Sequence, residues 1–514
     1  MDKRLFLAVI LSSAVLIIWS FASHKPVKQA ISLEKNNAGS LQLSADIKAD
    51  IKKEENLSKS LPESPESLID FNTDKVKAVF EENNALIKEL IFKDYQSSVF
   101  TLINGFELEN NSKFKKVENH NRDTLVFVQS DNEKEITKQF IFSNTNYGIE
   151  LSITIKNLKK SSLIVNPNLI LGSLDNESNQ LKSRYQDYIV VTQDKSIHPK
   201  MLKDKSFNEV QFIGLRDRYF CAIIEPEQIE HEQKENSAFI KKTGNKKSEI
   251  GLNSLNYSLL PGQILEQKFR VYIGPQQVEK IAEVDNDWTN IIHYGTFDFI
   301  SQLLLKLLSI FYRMVHNWGL SIIILSLAIY FLLYPLTLKQ TRSMKEMQAL
   351  QPRIEELRKV YKDNPQKLNK EVMELYKEHK VNPLGGCLPL ILQMPIFFAL
   401  YQALMRCVAL KGATFLWIKD LSEPDKLFIL PMNVPIIGNE INLLPILMMA
   451  GMFAQQKITM KSSVGGSAEQ QKIMIIIFPL MFGIIFYHMP AGLVLYWFIN
   501  SALMLFNQIK ASKV

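Results

Sequence analysis

The chain contains the uncharged stretch Trp318-Gly-Leu-Ser-Ile-Ile-Ile-Leu-Ser-Leu-Ala-Ile-Tyr-Phe-Leu-Leu-Tyr-Pro-Leu-Thr-Leu338. A helix rises about 1.5 Å per residue, so this stretch covers about 30 Å, the thickness of the hydrocarbon core of a bilayer. A second apolar stretch opens at Asn382 and runs through Tyr401, and the 339–381 segment between the two is strongly charged. The pattern predicts a membrane span, a helical hairpin in water and a second span.

Further apolar runs lie on both sides of this unit. The sequence predicts six spans, near 5–22, 318–338, 387–409, 441–456, 473–488 and 491–509. Lys and Arg are abundant in the 339–381 and 457–472 loops, whereas the 411–440 loop carries more acidic than basic residues. Because basic loops stay on the cytoplasmic side, both chain termini are predicted to be cytoplasmic.

The front of the chain begins with Lys3 and Arg4, followed by the apolar run 5–22. This run has two interpretations, a cleaved signal peptide and an uncleaved membrane anchor. The absence of a clear cleavage site favours a transmembrane anchor over 1–22. Residues 23–69 are rich in Lys, Glu, Asn and Ser, a composition typical of a flexible tether outside the membrane.

Residues 70–284 alternate apolar and polar side chains with a period of two. Examples are 98–103, 124–128, 139–142, 149–155 and 269–273. Short strands separated by Asn, Gly, Asp and Ser turns predict an antiparallel β-sandwich outside the cytoplasm. His120, His198 and His231 stand isolated in the sequence, so a partner-binding or spacing role is favoured over catalysis.

The 285–317 segment is amphipathic rather than spanning. Phe299, Leu303 and Ile310 recur at helical intervals, while Lys306 and Arg313 interrupt the apolar run. The pattern predicts a helix that lies along the outer membrane interface.

Composition limits the chemistry that the chain can perform. The 514 residues are 46% hydrophobic with a formal charge of +7, and the three cysteines form no CxxC motif. Disulfide scaffolds and zinc modules are therefore not predicted. The sequence contains no Walker loop, no dinucleotide fingerprint and no nucleophile–base motif. We predict a protein that is not an enzyme, that uses no cofactor or metal, and that has no nucleic-acid site.

Several motifs follow one another in order through the second half of the chain. They are Asn317-Trp-Gly-Leu-Ser-Ile-Ile-Ile324, Tyr334-Pro-Leu-Thr337, Leu350-Gln-Pro352, Leu375-Tyr-Lys377, Val381-Asn-Pro-Leu-Gly-Gly-Cys387, Gln393-Met-Pro-Ile-Phe397 and Gly492-Leu-Val-Leu-Tyr496. With these motifs, the region from Asp285 to the end closely resembles the YidC membrane protein insertase family, which includes Oxa and Alb relatives. The front half resembles the family only in layout.

The resemblance implies the long form of the family, in the inner membrane of a bacterium with two membranes. It implies a periplasmic β-supersandwich over 70–284, similar to sugar mutarotase folds, and an insertase core over 318–514 with five of the spans. The implied function is insertion and folding of newly made membrane proteins, alone or with the Sec translocon. The implied partners are nascent membrane proteins, SecYEG and SecDF, the ribosome, the signal recognition pathway and membrane lipids.

Polar side chains inside the predicted spans are candidates for a hydrophilic groove open to cytoplasm and lipid. The candidates are Ser326, Tyr330, Gln393, Gln402 and Asn500. Each has an alternative role as a simple hydrogen-bonding group between helices. Tyr330 stands where the resemblance implies a groove arginine.

Apolar contacts with a substrate helix are implied by the resemblance for the last spans, at Phe486, Tyr496 and Trp497. In the 339–381 hairpin, Met344 and Met347 belong to an apolar seam, and Asn364-Pro365 breaks the helix. The two apolar stripes of the hairpin have two interpretations. They either pack only against each other or form a mobile platform that recruits substrate.

Two other function classes fit six spans with internal polar groups. A secondary transporter of a small solute is the first alternative, although no inverted repeat and no acidic residue in the middle of a span supports it. A structural chaperone that binds nascent helices without inserting them is the second.

Overall fold

The computed structural model describes residues 67–512, apart from 110–112, 120, 175–184, 193–195, 200–203, 228–235, 244–247, 363, 380, 382–387, 435–436 and 462–467. The predicted anchor over 1–22 and almost all of the predicted tether over 23–69 lie outside the described residues.

The first part of the described chain is built from β-strands. They are β1 (Leu68–Asn72), β2 (Val76–Glu81), β3 (Leu86–Phe92), β4 (Ser98–Gly105), β5 (Glu107–Leu108), β6 (Lys115–Val117), β7 (Thr124–Ser130), β8 (Lys134–Phe142), β9 (Gly148–Asn157), β10 (Leu163–Val165), β11 (Leu169–Gly172), β12 (Asp187–Thr192), β13 (Ser196–Ile197), β14 (Lys205–Phe207), β15 (Val210–Arg216), β16 (Phe220–Pro226), β17 (Ser237–Lys242), β18 (Ser248–Asn253), β19 (Tyr257–Leu259) and β20 (Ile264–Pro275). All five strand stretches predicted from the period-two pattern lie in strands, and β8 shows why, since its side chains alternate between buried and half-buried.

Antiparallel sheets pack face to face around one apolar core. A nine-stranded sheet has the order β13-β12-β15-β16-β20-β9-β8-β7-β6, and it faces the β1-β2-β3-β4 sheet and the β14-β17-β18-β11-β5 sheet, which a bridge between Ile103 and Ser173 connects. Phe80 lies 5.2 Å from Phe140 and Phe92 lies 4.3 Å from Phe220, ring to ring, across the interior. These contacts are those of a β-sandwich, in which inward-facing residues of both layers interdigitate.

The second part of the chain is helical. Its helices are α1 (Val278–Ala282), α2 (Asp298–Val315), α3 (Trp318–Ala349), α4 (Gln351–Val360), α5 (Pro365–Glu378), α6 (Leu388–Arg406), α7 (Leu443–Lys461), α8 (Ala468–Phe486) and α9 (Ala491–Ser512). Strands β21 (Phe428–Val434) and β22 (Gly438–Ile441) form an antiparallel hairpin between α6 and α7. The sequence predicts only a loop over 411–440, so the hairpin is an element that the sequence pattern does not reveal.

Helix α3 is longer than the predicted span. The span was expected to end at 338, but the helix continues for 32 residues in all, to Ala349. Met344 and Met347, which begin the first stripe of the predicted 339–381 hairpin, therefore belong to α3, while Ile354 and Leu357 of that stripe lie in the next helix. The short helix α4 begins only after Leu350, with a proline in its first turn, and α5 follows Asn364.

Two helices in the described part of the chain are long and apolar enough to cross a membrane by length and composition. They are Trp318–Leu338, with 21 residues, and Ala491–Lys510, with 20 residues. Shorter apolar helical segments cover Leu443–Ile458 and Ile476–Phe486. The structure thus contains a helical core with a β-rich region, and the count of six spans remains a prediction.

The β-sandwich contacts the ends of two core helices through the turn between β15 and β16. Arg218 in this turn donates from Nε to the carbonyl of Met405, at 2.7 Å, and from Nη2 to the carbonyl of Ser422, at 2.9 Å. The neighbouring carbonyl of Glu423 accepts from the amide of Ala491, the first residue of α9, at 2.8 Å. One arginine therefore connects the sandwich to the end of α6 and, through one loop, to the start of α9.

Candidate functional site

A polar cluster lies between α6 and α9 in the helical core. Gln393 on α6 donates from Nε2 to the hydroxyl of Tyr496 on α9, at 2.5 Å. Tyr496 is fully buried, and the side chain of Asn500, one helical turn further along α9, lies beside this hydroxyl. A hydrogen bond between two buried side chains fixes the spacing of the two helices and leaves polar atoms inside an otherwise apolar core.

The cluster retains hydrogen-bonding capacity. Among the described residues, the Asn500 Nδ2 is buried and has no hydrogen-bond partner. Burial of an amide N–H without a partner is unfavourable by about 1–3 kcal/mol. Such a group favours any ligand that supplies an acceptor, for example a peptide carbonyl or a water molecule. The arrangement can therefore bind polar backbone without forming or breaking a covalent bond.

The two predicted groove residues on α3 differ in their surroundings. The Ser326 hydroxyl is fully buried and donates to the carbonyl of Ile322 in its own helix, at 2.7 Å. This internal bond uses the donor of Ser326 and leaves its oxygen able to accept a hydrogen bond. Tyr330, one turn further, is 9% exposed and its ring lies 5.9 Å from those of Phe331 and Tyr334.

Gln402 belongs to a different place from Gln393, although both lie on α6. Nine residues of helix separate them, which is about 13 Å along the axis. The Gln402 amide packs against the backbone of Gly295, where an added Cβ would lie 2.7 Å from Gln402 Oε1. Gly295 has a φ of +119°, which suits glycine. The structure thus groups Gln393 with Asn500 and places Gln402 at the end of α6 that contacts the sandwich side.

Two of the three predicted apolar contacts, Phe486 and Trp497, meet in one aromatic cluster, whereas Tyr496 belongs to the polar cluster with Gln393. The ring of Trp497 lies 5.2 Å from Phe486 and 5.1 Å from Phe397, and Phe482 also packs on it, at 5.6 Å. Phe486 is almost fully buried, whereas Trp497 is half-buried. Sequence reasoning missed Phe397 and Phe482, although Phe482 precedes Phe486 by the four residues that share one helix face.

Helices α4 and α5 form the hairpin that the sequence predicts between the first two core spans. Asn364 caps α5, because its Oδ1 accepts from the amide of Lys367 at 3.1 Å, and Pro365 is the first residue of the helix. Met344 and Met347 lie in the extension of α3, and their side chains are outside the described part of the structure. A groove of about 780 Å³ separates α4 from α5. Its lining includes the acidic residues Glu356, Glu371, Glu374 and Glu378.

A histidine that looked isolated in the sequence has a charged partner in the fold. His198 Nδ1 lies 2.8 Å from Asp187 Oδ2, and Arg216 Nη2 lies 3.0 Å from the same oxygen. Burial raises the pKa of the Asp187 carboxyl, but the His198 and Arg216 contacts outweigh it and hold the pKa below its usual range. Strand pairing of β12 with β13 and β15 creates this group, so no local sequence signal identifies it.

Comparison with known proteins gives matches over most of the chain. The family model described as 60Kd inner membrane protein matches residues 310–514, and that of the YidC periplasmic domain matches residues 104–307. A membrane protein insertase YidC of Pelobacter propionicus is 32% identical over 564 residues, covering 100% of this chain and 99% of the relative. The corresponding insertase of Geotalea daltonii is 30% identical, with 100% and 99% covered.

A solved structure is also similar. The crystal structure of an active YidC insertase with its first transmembrane domain resolved has a TM-score of 0.41 and 19% identity to this chain. The match covers 86% of this chain and 92% of that one.

Proposed function

The chain belongs to the YidC family of membrane protein insertases, and on this premise we propose that it moves substrates through a polar cleft between α6 and α9. It is an inner-membrane protein with a periplasmic domain, it acts on newly made membrane proteins, and it is not an enzyme. The small-solute transporter is set aside on the same ground. The polar cleft, the partner proteins and the membrane topology go beyond family membership and are proposals.

The buried donor of Asn500 beside the Gln393–Tyr496 pair is the observation that carries the cleft proposal. An unsatisfied peptide group in hydrocarbon costs several kcal/mol, which opposes transfer of any hydrophilic segment. Polar side chains at mid-helix offer replacement hydrogen bonds and admit water. We propose that Ser326, Tyr330 and Gln402 border this route, while the three residues of the cluster contact the passing segment.

Reconstitution tests the cleft. The purified chain alone in vesicles should insert a small single-span substrate, and Asn500→Leu and Gln393→Leu should each lower the inserted fraction several-fold. The matched control is Gln455→Leu, which removes another interhelical amide, one that contacts Met504 Sδ at 3.9 Å. Equal losses in control and test variants would mean that these amides serve only helix packing.

Solvent access to the cleft gives a separate measurement. With Cys221, Cys387 and Cys407 replaced, a cysteine at Asn500 should react with a small water-soluble thiol reagent added to the cytoplasmic side. A cysteine at Leu495, buried on the same helix, should not react. An unreactive Asn500 cysteine would exclude a wet cleft.

We propose that Trp497 is the main contact for the hydrophobic part of a substrate, with Phe486 packed against its ring and Tyr496 contributing from the polar cluster. Trp497 is half-buried, whereas the other two are almost fully buried. A photo-reactive side chain should therefore crosslink a nascent helix from position 497 much more strongly than from position 486. Comparable crosslinking from both positions would contradict this ordering.

The hairpin is proposed to receive substrates in the cytoplasm. Val360 on α4 is 71% exposed and Met373 on α5 is 45% exposed, so apolar surface remains after the two helices have packed. A thiol crosslinker at Met373→Cys should capture nascent chains, while one at Lys370→Cys, on the charged exposed face, should capture few. Equal capture would favour the alternative, in which the stripes serve only to hold the hairpin together.

We also propose the membrane topology and the partner proteins of the chain. Six spans with cytoplasmic termini follow the distribution of Lys and Arg between loops. Family membership supports cooperation with the Sec translocon (SecYEG, SecDF) and contact with the ribosome and the signal recognition pathway. Pull-down of the full chain from membranes, with the hairpin intact or disrupted at Asn364-Pro365, would separate partners that bind the hairpin from those that bind elsewhere.

A further inference from the structure

The hairpin of β21 and β22 exposes a group of large apolar side chains. Phe428 is 62% exposed, Ile429 72%, Met432 66% and Ile437 39%. We call these four residues the apolar hairpin surface. From Leu427 to Gly438 the sequence contains no charged residue. Single exposed apolar residues are ordinary, but a contiguous set on one short hairpin marks a surface that is covered in the working protein.

The base of the hairpin is polar and firmly attached. Lys426 Nζ and Glu440 Oε1 form an ion pair at 3.1 Å, and the amide of Leu427 donates to the carbonyl of Ile441 at 2.9 Å. The Tyr487 hydroxyl donates to the carbonyl of Glu440 at 2.8 Å, which connects the base to the turn after α8. The hairpin is thus amphipathic along its length, with charges at its base and apolar side chains beyond it.

Neighbouring bonds fix this base to the start of α7. Asn442 Nδ2 donates to the carbonyl of Tyr487 at 2.8 Å. Asp425 Oδ2 accepts from the amide of Leu444, at 2.8 Å, and from Trp417 Nε1, at 3.0 Å. Because both strands end in these contacts, the apolar hairpin surface keeps a fixed orientation relative to α7 and α8.

The apolar hairpin surface is continuous with exposed apolar side chains of helix α7. Helix α7 begins at Leu443, directly after β22, and exposes Ile446 (40%) and Phe453 (43%) on its outer side. In an inner-membrane protein, exposed apolar side chains on such a helix face lipid. We propose that the apolar hairpin surface lies in the outer leaflet, at the boundary between headgroups and acyl chains, and binds the phospholipid bilayer itself.

The depth of insertion follows from the backbone. A two-stranded hairpin has unpaired N–H and C=O groups along its outer edges, and these are too costly to place in the hydrocarbon core. Pro431 lacks an N–H, which removes one such donor from β21. The hairpin is therefore shallow, with side chains in the acyl boundary and backbone edges among headgroups, as for other interfacial segments.

Fluorescence in vesicles tests the proposal. The native cysteines are replaced, and an environment-sensitive dye is attached at Met432→Cys in the full chain, reconstituted in phospholipid vesicles. The dye should emit at shorter wavelength than in water, and lipids with a spin label near the headgroup should quench it more than lipids labelled deep in the chain. The control dye at Asn439→Cys, an exposed polar position of β22, should be quenched several-fold more by aqueous iodide.

Two results would overturn the proposal. Equal iodide quenching at 432 and 439 would place the hairpin in water. A shielded dye at 432 that lipid quenchers do not reach, or whose shielding disappears when the vesicles contain less protein per lipid, would assign the surface to a protein partner or a second copy of the chain. Insertion of a small substrate is measured in the same vesicles, so a failed lipid contact is distinguishable from a failed insertase.

Discussion

Lys138 shows how one residue can make the β-sandwich sensitive to pH. Its side chain is fully buried on β8, and Nζ donates to the carbonyls of Ala85, at 2.8 Å, and Phe106. Burial lowers the pKa of Lys138 to about 7, and the nearby Glu107 offsets only part of this shift. A lysine in the unfolded chain has a pKa of about 10.4, so the unfolded state binds more protons between these values. The free energy of unfolding should therefore rise with pH across this window.

The Lys138→Met variant should lose this pH dependence. Between about pH 7 and pH 9 the wild type should gain stability relative to the variant, by at most about 1.4 kcal/mol per pH unit. Thermal unfolding of the full chain in detergent, followed by circular dichroism of the sheet, measures the difference. Lys156→Met, at an exposed position of β9, is the control and should keep the wild-type slope. If the free energy of unfolding depends on pH in the same way in all three proteins, burial does not lower the pKa of Lys138.

Arg218 is the residue that we expect to hold the sandwich against the helical core. Its guanidinium bonds two carbonyls and lies 3.3 Å from Glu423 Oε1, and its side chain is 16% exposed. Hydrogen bonds from a charged donor contribute about 1.5–3 kcal/mol each when little water competes. Arg218→Ala should therefore loosen this contact while each part remains folded.

A crosslink across the interface measures the effect of Arg218. The hydroxyls of Tyr185 and Tyr401 lie 3.4 Å apart, one on each side. Cysteines at these two positions should be joined rapidly by a short bifunctional thiol reagent, and several-fold more slowly after Arg218→Ala. Arg270→Ala removes ion pairs to Glu225 and Asp285 inside the sandwich and should leave the rate unchanged. A rate unaffected by Arg218→Ala would mean that other contacts hold the interface.

Among the elements, α8 is the one whose length we expect to matter. The helix covers Ala468–Phe486, but it begins with charged residues, and its apolar part starts only near Ile473. The apolar part is about 21 Å long, less than the roughly 30 Å hydrocarbon core. A helix that is too short can be accommodated by local thinning of the bilayer, which shortens the path of a translocated segment.

Lengthening α8 tests the thinning hypothesis. One added apolar turn, about four residues and 6 Å, should lower insertion of a small substrate by relieving the mismatch. The control places the same four residues within 462–467, between α7 and α8, where they should have little effect. If the protein with the lengthened α8 inserts the substrate as well as the wild type, bilayer thinning is not part of the mechanism. If both variants lose insertion equally, the added residues disturb the fold in general.

The elements also show what the sequence could predict. Strands β4, β7, β8, β9 and β20 were predictable because alternate burial leaves a period-two pattern. The break before α5 was predictable from Asn364-Pro365, a cap followed by a residue that fits only the first turn. The hairpin of β21 and β22 was not, because its exposed apolar residues match neither a half-buried strand nor a spanning helix.

The candidate site was only partly predictable for a similar reason. Gln393 and Asn500 are conspicuous as polar residues in apolar helices, so composition alone selects them. Their meeting at Tyr496 depends on how α6 packs on α9, which no local pattern specifies. Ser326 and Gln402 were selected by the same rule, yet one bonds its own helix and the other packs on Gly295.

At the scale of the whole molecule, the open question is the source of energy for translocation. Hydrophobic transfer of the substrate helix and the membrane potential are two sources that an insertase in a bilayer can use. Burial of a spanning helix in lipid is favourable for any apolar substrate. It does not by itself favour outward movement of a charged segment, and the potential favours that movement only when the segment is acidic.

The membrane potential should act directly on acidic segments during insertion. The cytoplasmic side is negative, so outward movement of one negative charge gains about 2.3 kcal/mol per 100 mV. Tyr330 stands where the family resemblance implies a groove arginine, so under the cleft proposal we expect an acidic segment to meet a neutral hydroxyl at that point. Collapsing the potential with an ionophore should therefore reduce insertion of a substrate with an acidic outward segment more than that of an otherwise identical neutral one. Tyr330→Arg should reduce the difference between the two substrates in ionophore sensitivity, and Tyr330→Phe should leave that difference unchanged. If the ionophore reduces insertion of both substrates equally in the wild type and both variants, the potential has no electrostatic role.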